Sequence, residues 1–359
     1  MLSELTIAGY RSLREITLPL GRLTVIVGAN GCGKSNLHRS LYLLHAAAQG
    51  RLARTMASEG GMSSLLWAGA RHRGPVRLKL GIITSENLSY ELVCGLPEPN
   101  DLPSRFKLDP LIKEESILFR EGGSLVTLMD RGKSGVMLRD SSGKRVSLPM
   151  TLSRHESALT QISEPHRYPH LSLLRDRLSG WRFYHHFRTD DGGPLRQPQV
   201  GVFTPALAHD GADLAAALLT IQEIGDRPAL EQAIRSGLSG AELEIVISDD
   251  YRFRVLLHTP GLHRPLEAWE MSDGTLRYLC LLAALLSPRP PQLLALNEPE
   301  TSLHPDLIPP LAAAISQAAS RCQIWLATHS VPLSDAIQRF SGIPPVRLIK
   351  TDGETRIAL

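Results

Sequence analysis

The chain has 359 residues, a formal net charge of +3, a hydrophobic content of 43% and a charged content of 21%. These values are those of an ordinary soluble globular protein, and the length allows a large core that depends on no disulfide or metal staple. The small net charge does not establish a nucleic-acid partner, because such a partner is bound by a clustered basic patch rather than by total charge.

Cysteine usage and hydropathy indicate the compartment. The chain has 4 cysteines without any CxxC spacing: Cys32, Cys94, Cys280 and Cys322. This argues against a zinc site or a disulfide framework and is typical of a reducing compartment. No signal-peptide pattern occurs in residues 1–9, and the longest apolar stretch, residues 278–286, is far shorter than the roughly 20 residues that span a bilayer. We therefore expect a cytoplasmic protein without a membrane partner.

The first predicted elements are strands that lead into a glycine-rich loop. Residues 5–27 contain three short β-like runs, and residues 23–27 have the apolar character of a strand buried on both faces. The segment GANGCGKS follows directly, and Leu37, Leu41 and Leu44 then recur at helical spacing. Strand, glycine loop and helix in this order form the setting of a phosphate-binding loop.

Residues 76–148 show a different pattern. Short runs rich in β-forming residues are separated by turn signals, which predicts an antiparallel β lobe. The strand candidates are residues 76–82, 88–96, 124–129, 135–138 and 144–148.

Residues 151–240 are predicted to be mainly helical. Helical stretches are expected around residues 153–162 and 171–178, and residues 213–238 predict one or two helices with an interruption near residues 225–228. The segments ELEIVIS and YRFRVLLH follow and predict a β-hairpin.

The last quarter of the chain returns to alternating helices and strands. The predicted elements are a helix over residues 274–286, a strand at 293–296, a helix near 305–319, a strand at 323–327 and a helix after Pro332. We therefore predict an α/β P-loop fold whose sheet is built from both chain ends, with an antiparallel β lobe and a helical lobe inserted. The predicted segments are 1–75, 76–150, 151–240 and 241–359.

Residues 28–35 match the pattern G-x-x-x-x-G-K-[ST] in full. The matching residues are Gly28, Ala29, Asn30, Gly31, Cys32, Gly33, Lys34 and Ser35. Glycines let backbone N–H groups converge on phosphate oxygens, and the following helix adds about half a positive charge at its N-terminus. Lys34 is predicted to reach the β- and γ-phosphates of ATP, Ser35 to bind Mg²⁺, and Asn36 to lie against the nucleotide. A chance match in a glycine turn is the alternative, and the flanking strand and helix argue against it.

The segment LLALNE, residues 293–298, resembles a Walker B strand, which is apolar and ends in polar residues. Glu298 is the candidate to orient or deprotonate the attacking water. Asn297 takes the position that usually carries the Mg²⁺-binding aspartate. Its amide oxygen can accept a hydrogen bond from a metal-bound water, but the formal charge is lost. We expect weaker metal binding or slower turnover.

The segment MSDGT, residues 271–275, resembles a degenerate LSGGQ signature. Ser272 and Gly274, at the start of a helix, offer a hydroxyl and N–H groups to a phosphate. In isolation the segment is an ordinary helix N-cap, and its position just before the Walker B strand favours the signature.

Two further segments follow in the order that this set of motifs requires. The segment TSLHP, residues 301–305, has the position of a D-loop. His329 follows a predicted strand as a switch histidine does, and a structural hydrogen bond is the alternative role. With Glu298 and Lys34, His329 completes the predicted catalytic residues.

With these motifs in this order, the chain resembles the RecF/SMC/OLD-like branch of ABC ATPases, most closely its stand-alone predicted AAA-type ATPases. The resemblance covers residues 1–45 and 265–335, and NEPETSLHP is more similar to this branch than to transporter ATPases. It implies an ATPase fold of the ABC type, formed by the first and last predicted segments. It also implies ATP and Mg²⁺ as ligands and a homodimer with ATP at its interface.

The resemblance implies further site residues. The segment GYRSL, residues 9–13, looks like the GF[KR]S segment of this branch, which implies nucleotide contacts for Arg11 and Ser12. Gln161 is the candidate for the metal-binding glutamine of the Q-loop, and a solvent-facing glutamine is the alternative. No heptad run is visible, and thirty residues follow His329, so we expect neither SMC coiled coils nor the C-terminal nuclease domain of OLD proteins.

The leading hypothesis is an ATP-driven dimer in DNA metabolism, such as DNA repair or anti-phage defence, with a companion nuclease or effector protein as a candidate partner. Two arginine clusters are candidate DNA contacts, with a solvated face as the alternative: Arg71, Arg73 and Arg77, and Arg175, Arg177, Arg182 and Arg188. One alternative hypothesis is the ATPase subunit of a membrane transporter. The GYRSL segment and the degenerate signature argue against this alternative. Another is a slow nucleotide-dependent switch that binds a protein, which Asn297 makes conceivable.

Overall fold

The structure is a computed structural model that describes residues 1–70, 76–97, 105–106, 109–133, 135–149 and 151–358. The chain divides into two compact units, each assembled from segments that are distant in sequence. Unit 1 comprises Met1–Gly21, Gly28–Trp181 and Arg347–Leu359, and unit 2 comprises Arg22–Val27 and Arg182–Val346. The predicted four-segment division stays a prediction.

Strands and helices are numbered in chain order. The strands are β1 (Leu2–Tyr10), β2 (Leu13–Pro19), β3 (Leu23–Val27), β4 (Leu78–Thr84), β5 (Leu88–Gly95), β6 (Leu111–Glu121), β7 (Ser124–Gly132), β8 (Gly135–Arg139), β9 (Arg145–Ser147), β10 (Arg182–Tyr184), β11 (Gln199–Val200), β12 (Glu242–Ile247), β13 (Arg252–His258), β14 (Leu266–Glu267), β15 (Leu293–Asn297), β16 (Gln323–Thr328), β17 (Val346–Thr351) and β18 (Glu354–Ile357). The α-helices are α1 (Lys34–Ala48), α2 (Leu52–Ser58), α3 (Met62–Leu65), α4 (Ala158–Gln161), α5 (Pro169–Ser179), α6 (Leu214–Ile224), α7 (Arg227–Gly237), α8 (Asp273–Leu285), α9 (Ile308–Ala318) and α10 (Val331–Ser341). Short 3₁₀ helices lie at Pro194–Arg196, Ala268–Glu270 and Pro305–Leu307.

Unit 1 contains an antiparallel sheet in the order β2-β1-β4-β5-β6-β7-β8-β9. Its central strands alternate buried apolar residues with more exposed ones, as in β1, where Leu5 and Ile7 are fully buried. Helices α4 and α5 pack on α1 in the same unit. The antiparallel strands predicted within residues 76–148 are therefore confirmed, and they share their sheet with the two strands at the start of the chain.

Strand β6 is absent from the sequence prediction, because charged residues occupy its centre. Glu115 is fully buried there, and its carboxylate accepts hydrogen bonds from Arg131 Nη1 at 3.1 Å and from Tyr90 Oη at 2.8 Å. A buried carboxylate is tolerated when it is paired and hydrogen-bonded in this way. Arg131 also donates to the carbonyl groups of Ser153 and Glu156. These bonds hold residues 153–157 as a loop, so the helix predicted over 153–162 is limited to α4.

Unit 2 contains a parallel sheet in which β10, β15, β16 and β3 are neighbours in that order. Strands β3, β15 and β16 are buried at every residue, which explains their continuous apolar sequences. β3 comes from the start of the chain and the others from its second half, so the predicted sheet from both chain ends is confirmed. Helices α8, α9 and α10 flank it, and a second small sheet contains β11, β13, β12 and β14.

The four cysteines are buried free thiols. Burial raises the pKa of Cys94 to about 12 and that of Cys322 to about 11, so both stay protonated at neutral pH. Within the described ranges, no helix combines the length and the apolar character needed to cross a bilayer.

The hairpin of β17 and β18 was not predicted, yet within unit 1 it holds the glycine-rich loop. The buried Thr355 hydroxyl donates to the carbonyl oxygen of Cys32 at 2.7 Å and lies 2.7 Å from Ser12 Oγ. A Cβ atom on Gly33 would lie 2.2 Å from Thr355 Oγ1, and Gly33 has a φ of +112°. Close approach and backbone conformation therefore both require glycine at this position.

We predict that Thr355→Val weakens ATP binding by about tenfold, because it leaves a buried carbonyl of the loop without its donor. The measurement is titration with a fluorescent ATP analogue, with a thermal melt to show that the variant is folded. Thr351→Val, an exposed threonine on the same hairpin, is the control. Equal affinities for Thr355→Val and the unsubstituted protein would contradict the role of Thr355.

Candidate nucleotide-binding and catalytic residues

The glycine-rich loop of residues 28–35 starts directly after β3 and ends in the first turn of α1. Gly33 is the N-cap residue of α1, and no side chain of the described residues caps the helix there. The first N–H groups of α1 can therefore bind an anion. Ala29, Asn30, Gly31 and Ser35 are exposed, so the tip of the loop and the Ser35 hydroxyl are accessible to a ligand.

Lys34 is 5% exposed and folds back over the loop. Its Nζ donates to the carbonyl oxygens of Gly28 at 2.7 Å and Ala29 at 3.1 Å. An ammonium group has three donors, so one remains for a phosphate oxygen while the loop carbonyls hold the side chain in place. This geometry fits the predicted role of Lys34.

Ser12 and Asn36 lie together in unit 1. Asn36 Nδ2 donates to Ser12 Oγ at 2.8 Å, and Ser12 in turn contacts Thr355. Arg11 has a φ of +47°, and its guanidinium pairs with Glu59 at 2.7 Å. The structure thus brings Ser12 to the P-loop helix, while the charge of Arg11 is matched by a carboxylate of its own unit.

Gln161 lies at the other end of α1 from the P-loop. Its Nε2 donates to the carbonyls of Ser153 at 3.1 Å and Glu156 at 2.9 Å, and its Oε1 accepts from the N–H of Ser153 at 2.7 Å. The neighbouring Thr160 side chain lies 3.8 Å from the Cβ position of Gly50, which follows the C-terminus of α1. That end of the helix is about 20 Å from its first turn. The structure does not bring Gln161 to the P-loop, and this placement gives its predicted metal role no support.

In unit 2, the carboxyl ends of the parallel strands are in register. The paired residues are Asn297 with Ala327, Thr328 with Val27, and Leu296 with Tyr184. Glu298 and His329 therefore follow neighbouring strand ends, and the P-loop follows the third. Ligands of open α/β sheets bind at this edge, where the loops leave the strands.

Asn297 is buried and held by a histidine that the sequence did not single out. Its Nδ2 donates to Nδ1 of His185 at 2.8 Å, so that ring nitrogen acts as the acceptor. Its Oδ1 is buried and has no hydrogen-bond partner among the described residues. Buried acceptors are normally satisfied, and a metal-bound water would satisfy this one. Asn297 therefore fits its predicted role.

Glu298 has a strained backbone and an accessible side chain. Its φ is +49°, a left-handed conformation that costs about 1–2 kcal/mol for a residue with a Cβ atom. Its N–H donates to the carbonyl of Ala327 at 2.8 Å, and its carbonyl accepts from Arg277 Nη2 at 2.9 Å. The side chain is 31% exposed. A fixed backbone with an accessible carboxylate is the arrangement that a water-orienting residue needs.

Arg277 of helix α8 organises the turn after β15. Besides Glu298, it donates to the carbonyl oxygens of Pro299 and His185, each at 3.3 Å. Burial lowers the pKa of the guanidinium, and the nearby Glu300 carboxylate opposes this effect. Sequence reasoning missed Arg277, because its role depends on carbonyl groups that only the fold brings to it.

His329 faces two carboxylates. Its Nδ1 lies 3.5 Å from Oε1 of Glu298 and 3.5 Å from Oε1 of Glu300. Glu300 is buried, its Oε1 accepts from the hydroxyl of Thr328, and its Oε2 has no partner among the described residues. The sequence analysis did not single out Glu300, although the second carboxylate in NEPE was the signal that could have identified it.

The predicted signature loop and D-loop lie side by side in unit 2. Ser272 is the N-cap residue of α8, and its Oγ accepts from the N–H of Thr275 at 3.1 Å. A Cβ atom on Gly274 would lie 2.5 Å from the carbonyl oxygen of Ser302, so only glycine allows this contact. Both loops line a groove of about 700 Å³. The capping role of Ser272 is observed, and its phosphate contact stays a prediction.

Four of the seven arginines in the two predicted DNA-contact clusters, Arg77, Arg175, Arg177 and Arg188, form ion pairs with carboxylates, and their contact with DNA stays a prediction. Arg77 pairs with Glu114, Arg177 with Glu86 and Arg188 with Asp190, so carboxylates already offset these charges. Arg71 and Arg73 lie outside the described residues.

Two family profiles match the chain. One, described as "AAA domain, putative AbiEii toxin, Type IV TA system", matches residues 138–335, which is more than half of the chain. It includes the signature-like loop, the Walker B-like strand and His329. The other, described as "AAA ATPase domain", matches residues 1–62 and includes the P-loop.

A local match to a curated protein points in the same direction. An OLD nuclease of Thermus scotoductus is 48% identical over 44 residues, which are 12% of this chain and 8% of that relative. The match therefore covers less than a tenth of the relative's length.

Solved structures of Smc head domains have a similar fold. The Smc head bound to the C-winged helix domain of ScpA has a TM-score of 0.53 and 13% identity, and the match covers 99% of this chain and 97% of that one. A second, an Smc head domain with an extended coiled coil bound to the C-terminal domain of ScpA, derived from Pyrococcus furiosus, has a TM-score of 0.52 and 13% identity, covering 99% and 95%. At this identity the likeness concerns the fold alone.

The resemblance and the fold class predicted from the motifs are thereby confirmed. The chain belongs to the AAA-domain family described as putative AbiEii toxin, Type IV TA system, its first 62 residues match an AAA ATPase domain, and its fold is similar to that of Smc head domains.

Proposed function

We propose that this ATPase binds ATP with Mg²⁺, dimerises on ATP, hydrolyses it, and acts in DNA metabolism, either in DNA repair or in anti-phage defence. The observation that carries the proposal is the edge of the parallel sheet in unit 2. There Asn297, Glu298 and His329 stand at neighbouring strand ends, and β3 continues into the P-loop.

Nucleotide binding would rest on the loop of residues 28–35. Its backbone N–H groups and the start of α1 provide partial positive charge, and Lys34 provides a full one. Ser35 Oγ would bind Mg²⁺ at the P-loop, and Asn297 keeps its sequence-based role as an acceptor for a metal-bound water. The bound ion neutralises charge on the phosphate oxygens during phosphoryl transfer.

Hydrolysis would rest on the turn after β15. Glu298 would hold the attacking water and accept its proton, and its hydrogen bonds from Arg277 and to Ala327 keep its backbone in place. His329 would donate a hydrogen bond toward the γ-phosphate, and the buried Glu300 carboxylate lies 3.5 Å from its Nδ1.

Dimerisation would follow from the signature loop. Ser272 and the start of α8 offer donors to a phosphate, and in ABC-type ATPases this loop meets the nucleotide of the other subunit. Two ATP molecules would then be held between two copies of the chain, and their hydrolysis would release the dimer. The DNA role is proposed on the resemblance, with a companion nuclease or effector protein as a further candidate partner.

A second candidate function is favoured by Asn297. Because the Walker B position carries no charge, we expect weaker metal binding and slower turnover, which suits a nucleotide-dependent switch that acts on a protein partner.

We predict that Lys34→Ala lowers ATP affinity by about 100-fold, because it removes the charged donor of the P-loop. Isothermal titration with ATP and Mg²⁺ measures the effect. Lys144→Ala, which changes an exposed lysine of the same unit, should leave affinity unchanged. Retained ATP affinity in Lys34→Ala would refute the P-loop assignment.

We predict that Glu298→Gln lowers the rate of ATP hydrolysis by at least about 100-fold while ATP binding persists. The variant should therefore accumulate as an ATP-bound dimer, which light scattering detects as a doubling of mass. Glu223→Gln, an exposed carboxylate on α6, is the control. A strict monomer at saturating ATP rejects the dimer mechanism.

We predict that DNA accelerates ATP turnover and that added salt reduces this effect, since phosphate contacts release counterions. Phosphate release is measured with Mg²⁺ in the presence of duplex DNA, single-stranded DNA or no DNA, with Lys34→Ala as the blank. Slow turnover that neither DNA changes would favour the switch that acts on a protein.

A further inference from the structure

Arg196 is a buried arginine outside every motif of the sequence analysis. It ends the 3₁₀ helix Pro194–Arg196 and is 8% exposed. A buried guanidinium is tolerated only when its N–H groups are hydrogen-bonded. The acceptors of Arg196 therefore show which segment the side chain stabilises.

Those partners belong mainly to the loop that leads into the signature helix α8. The guanidinium donates from Nε to Thr189 O at 2.8 Å, from Nη1 to Ala268 O at 3.3 Å, Trp269 O at 3.2 Å and Met271 O at 2.8 Å, and from Nη2 to Asp273 Oδ1 at 2.6 Å. Nη1 has two N–H groups for its three carbonyl acceptors, so one of them is shared, and a lysine ammonium with three donors could not reach all five acceptors. Arg196 therefore fixes the path of residues 268–273.

The ion pair between Arg196 and Asp273 changes the charge of the signature loop. Asp273 stands where the LSGGQ pattern has its first glycine, next to Ser272, in a loop proposed to face a triphosphate. An unpaired carboxylate there would repel the phosphates. Arg196 neutralises the Asp273 carboxylate from the protein interior. The Arg196 side chain is 8% exposed, whereas that of Asp273 is 58% exposed.

We propose that Arg196 is a positioning residue of the signature loop. It holds the loop in the conformation that receives the triphosphate bound to a second copy of the chain, and it neutralises Asp273 so that this degenerate signature can accept an anion. The inference rests on the proposed ATP-dependent dimer. It concerns the signature side of that dimer alone, so binding of ATP to the P-loop of a single copy is independent of Arg196.

The test compares ATP binding with dimerisation. For each variant, a fluorescent ATP analogue measures nucleotide affinity at protein concentrations where the chain is monomeric. Light scattering measures dimer formation against the concentration of a non-hydrolysable ATP analogue, and a thermal melt reports folding. The variants are Arg196→Met, Arg196→Lys, and Arg196→Met combined with Asp273→Asn. Arg227→Met, which breaks an exposed pair with Glu231, is the matched control.

For Arg196→Met we expect unchanged nucleotide affinity of the monomer and a 10- to 100-fold higher analogue concentration for half-dimerisation, on the order of the loss of charged hydrogen bonds. Arg196→Lys, which keeps the charge but not the fork, should lie between Arg196→Met and the unsubstituted protein. Adding Asp273→Asn to Arg196→Met should recover part of the loss, because it removes the uncompensated charge. A merely structural role of Arg196 predicts no such recovery.

Three outcomes would overturn the proposal. One is dimerisation of Arg196→Met at the concentration that the unsubstituted protein needs. Another is a loss of monomer nucleotide affinity in Arg196→Lys equal to its loss of dimerisation. The third is an absence of recovery in the double variant. If the unsubstituted protein stays monomeric with the analogue, the proposed dimer is rejected, and the proposed role of Arg196 is rejected with it.

Discussion

The parallel pairing of β3 with β16 is the contact on which the candidate sites depend. It joins residues 23–27 to residues 323–328, with Val27 opposite Thr328. Both strands are buried along their whole length, so hydrophobic burial stabilises a pairing between distant parts of the chain. The entropy cost of closing such a long loop grows only slowly with its length. Because each strand runs directly into a functional segment, the register of this pairing sets where those segments begin.

The carboxyl edge of the parallel sheet contains a strained backbone conformation that neighbouring residues hold in place. Glu298 adopts a left-handed backbone, and the bonds from Arg277 and to Ala327 are those that hold it. Asn297 and Glu300 each keep one buried oxygen without a partner among the described residues. Unsatisfied buried acceptors are costly to folding and are found where a ligand or water completes them. The concentration of these features at one strand edge is the physical reason to regard it as the reactive part of unit 2.

Local sequence patterns were sufficient to predict those elements whose formation depends on residues close to one another in the sequence. The apolar run of β3, the periodic leucines of α1 and the glycine pattern of the P-loop each predict their element without any distant contact. Strand β6 could not be predicted in this way, because Glu115 is acceptable inside the sheet only with Arg131 from the next strand. A pattern within residues 111–121 cannot show that Arg131, the partner of Glu115, lies on the neighbouring strand.

The residues missed at the candidate sites share this property. Thr355 contacts the P-loop from the opposite end of the chain, and His185, which directly follows β10, contacts Asn297. Arg196 reaches the signature loop across more than seventy positions of sequence. In each case a polar side chain satisfies a group of a motif residue, and only the fold brings the two together. Motifs therefore predict which groups meet a ligand, and the tertiary structure shows which side chains hold those groups.

Two departures from the usual ABC motifs change the charge at the proposed triphosphate-binding groups in opposite directions. Asn297 removes a carboxylate from the strand edge, and Asp273 adds one to the signature loop. Since Arg196 pairs with Asp273, the added charge is offset while the removed one is not replaced. A composite site of two copies would then repel an anionic nucleotide less than one with an aspartate at position 297, and it would attract Mg²⁺ less. In the proposed dimer, the first effect would favour capture of ATP and the second would slow its hydrolysis.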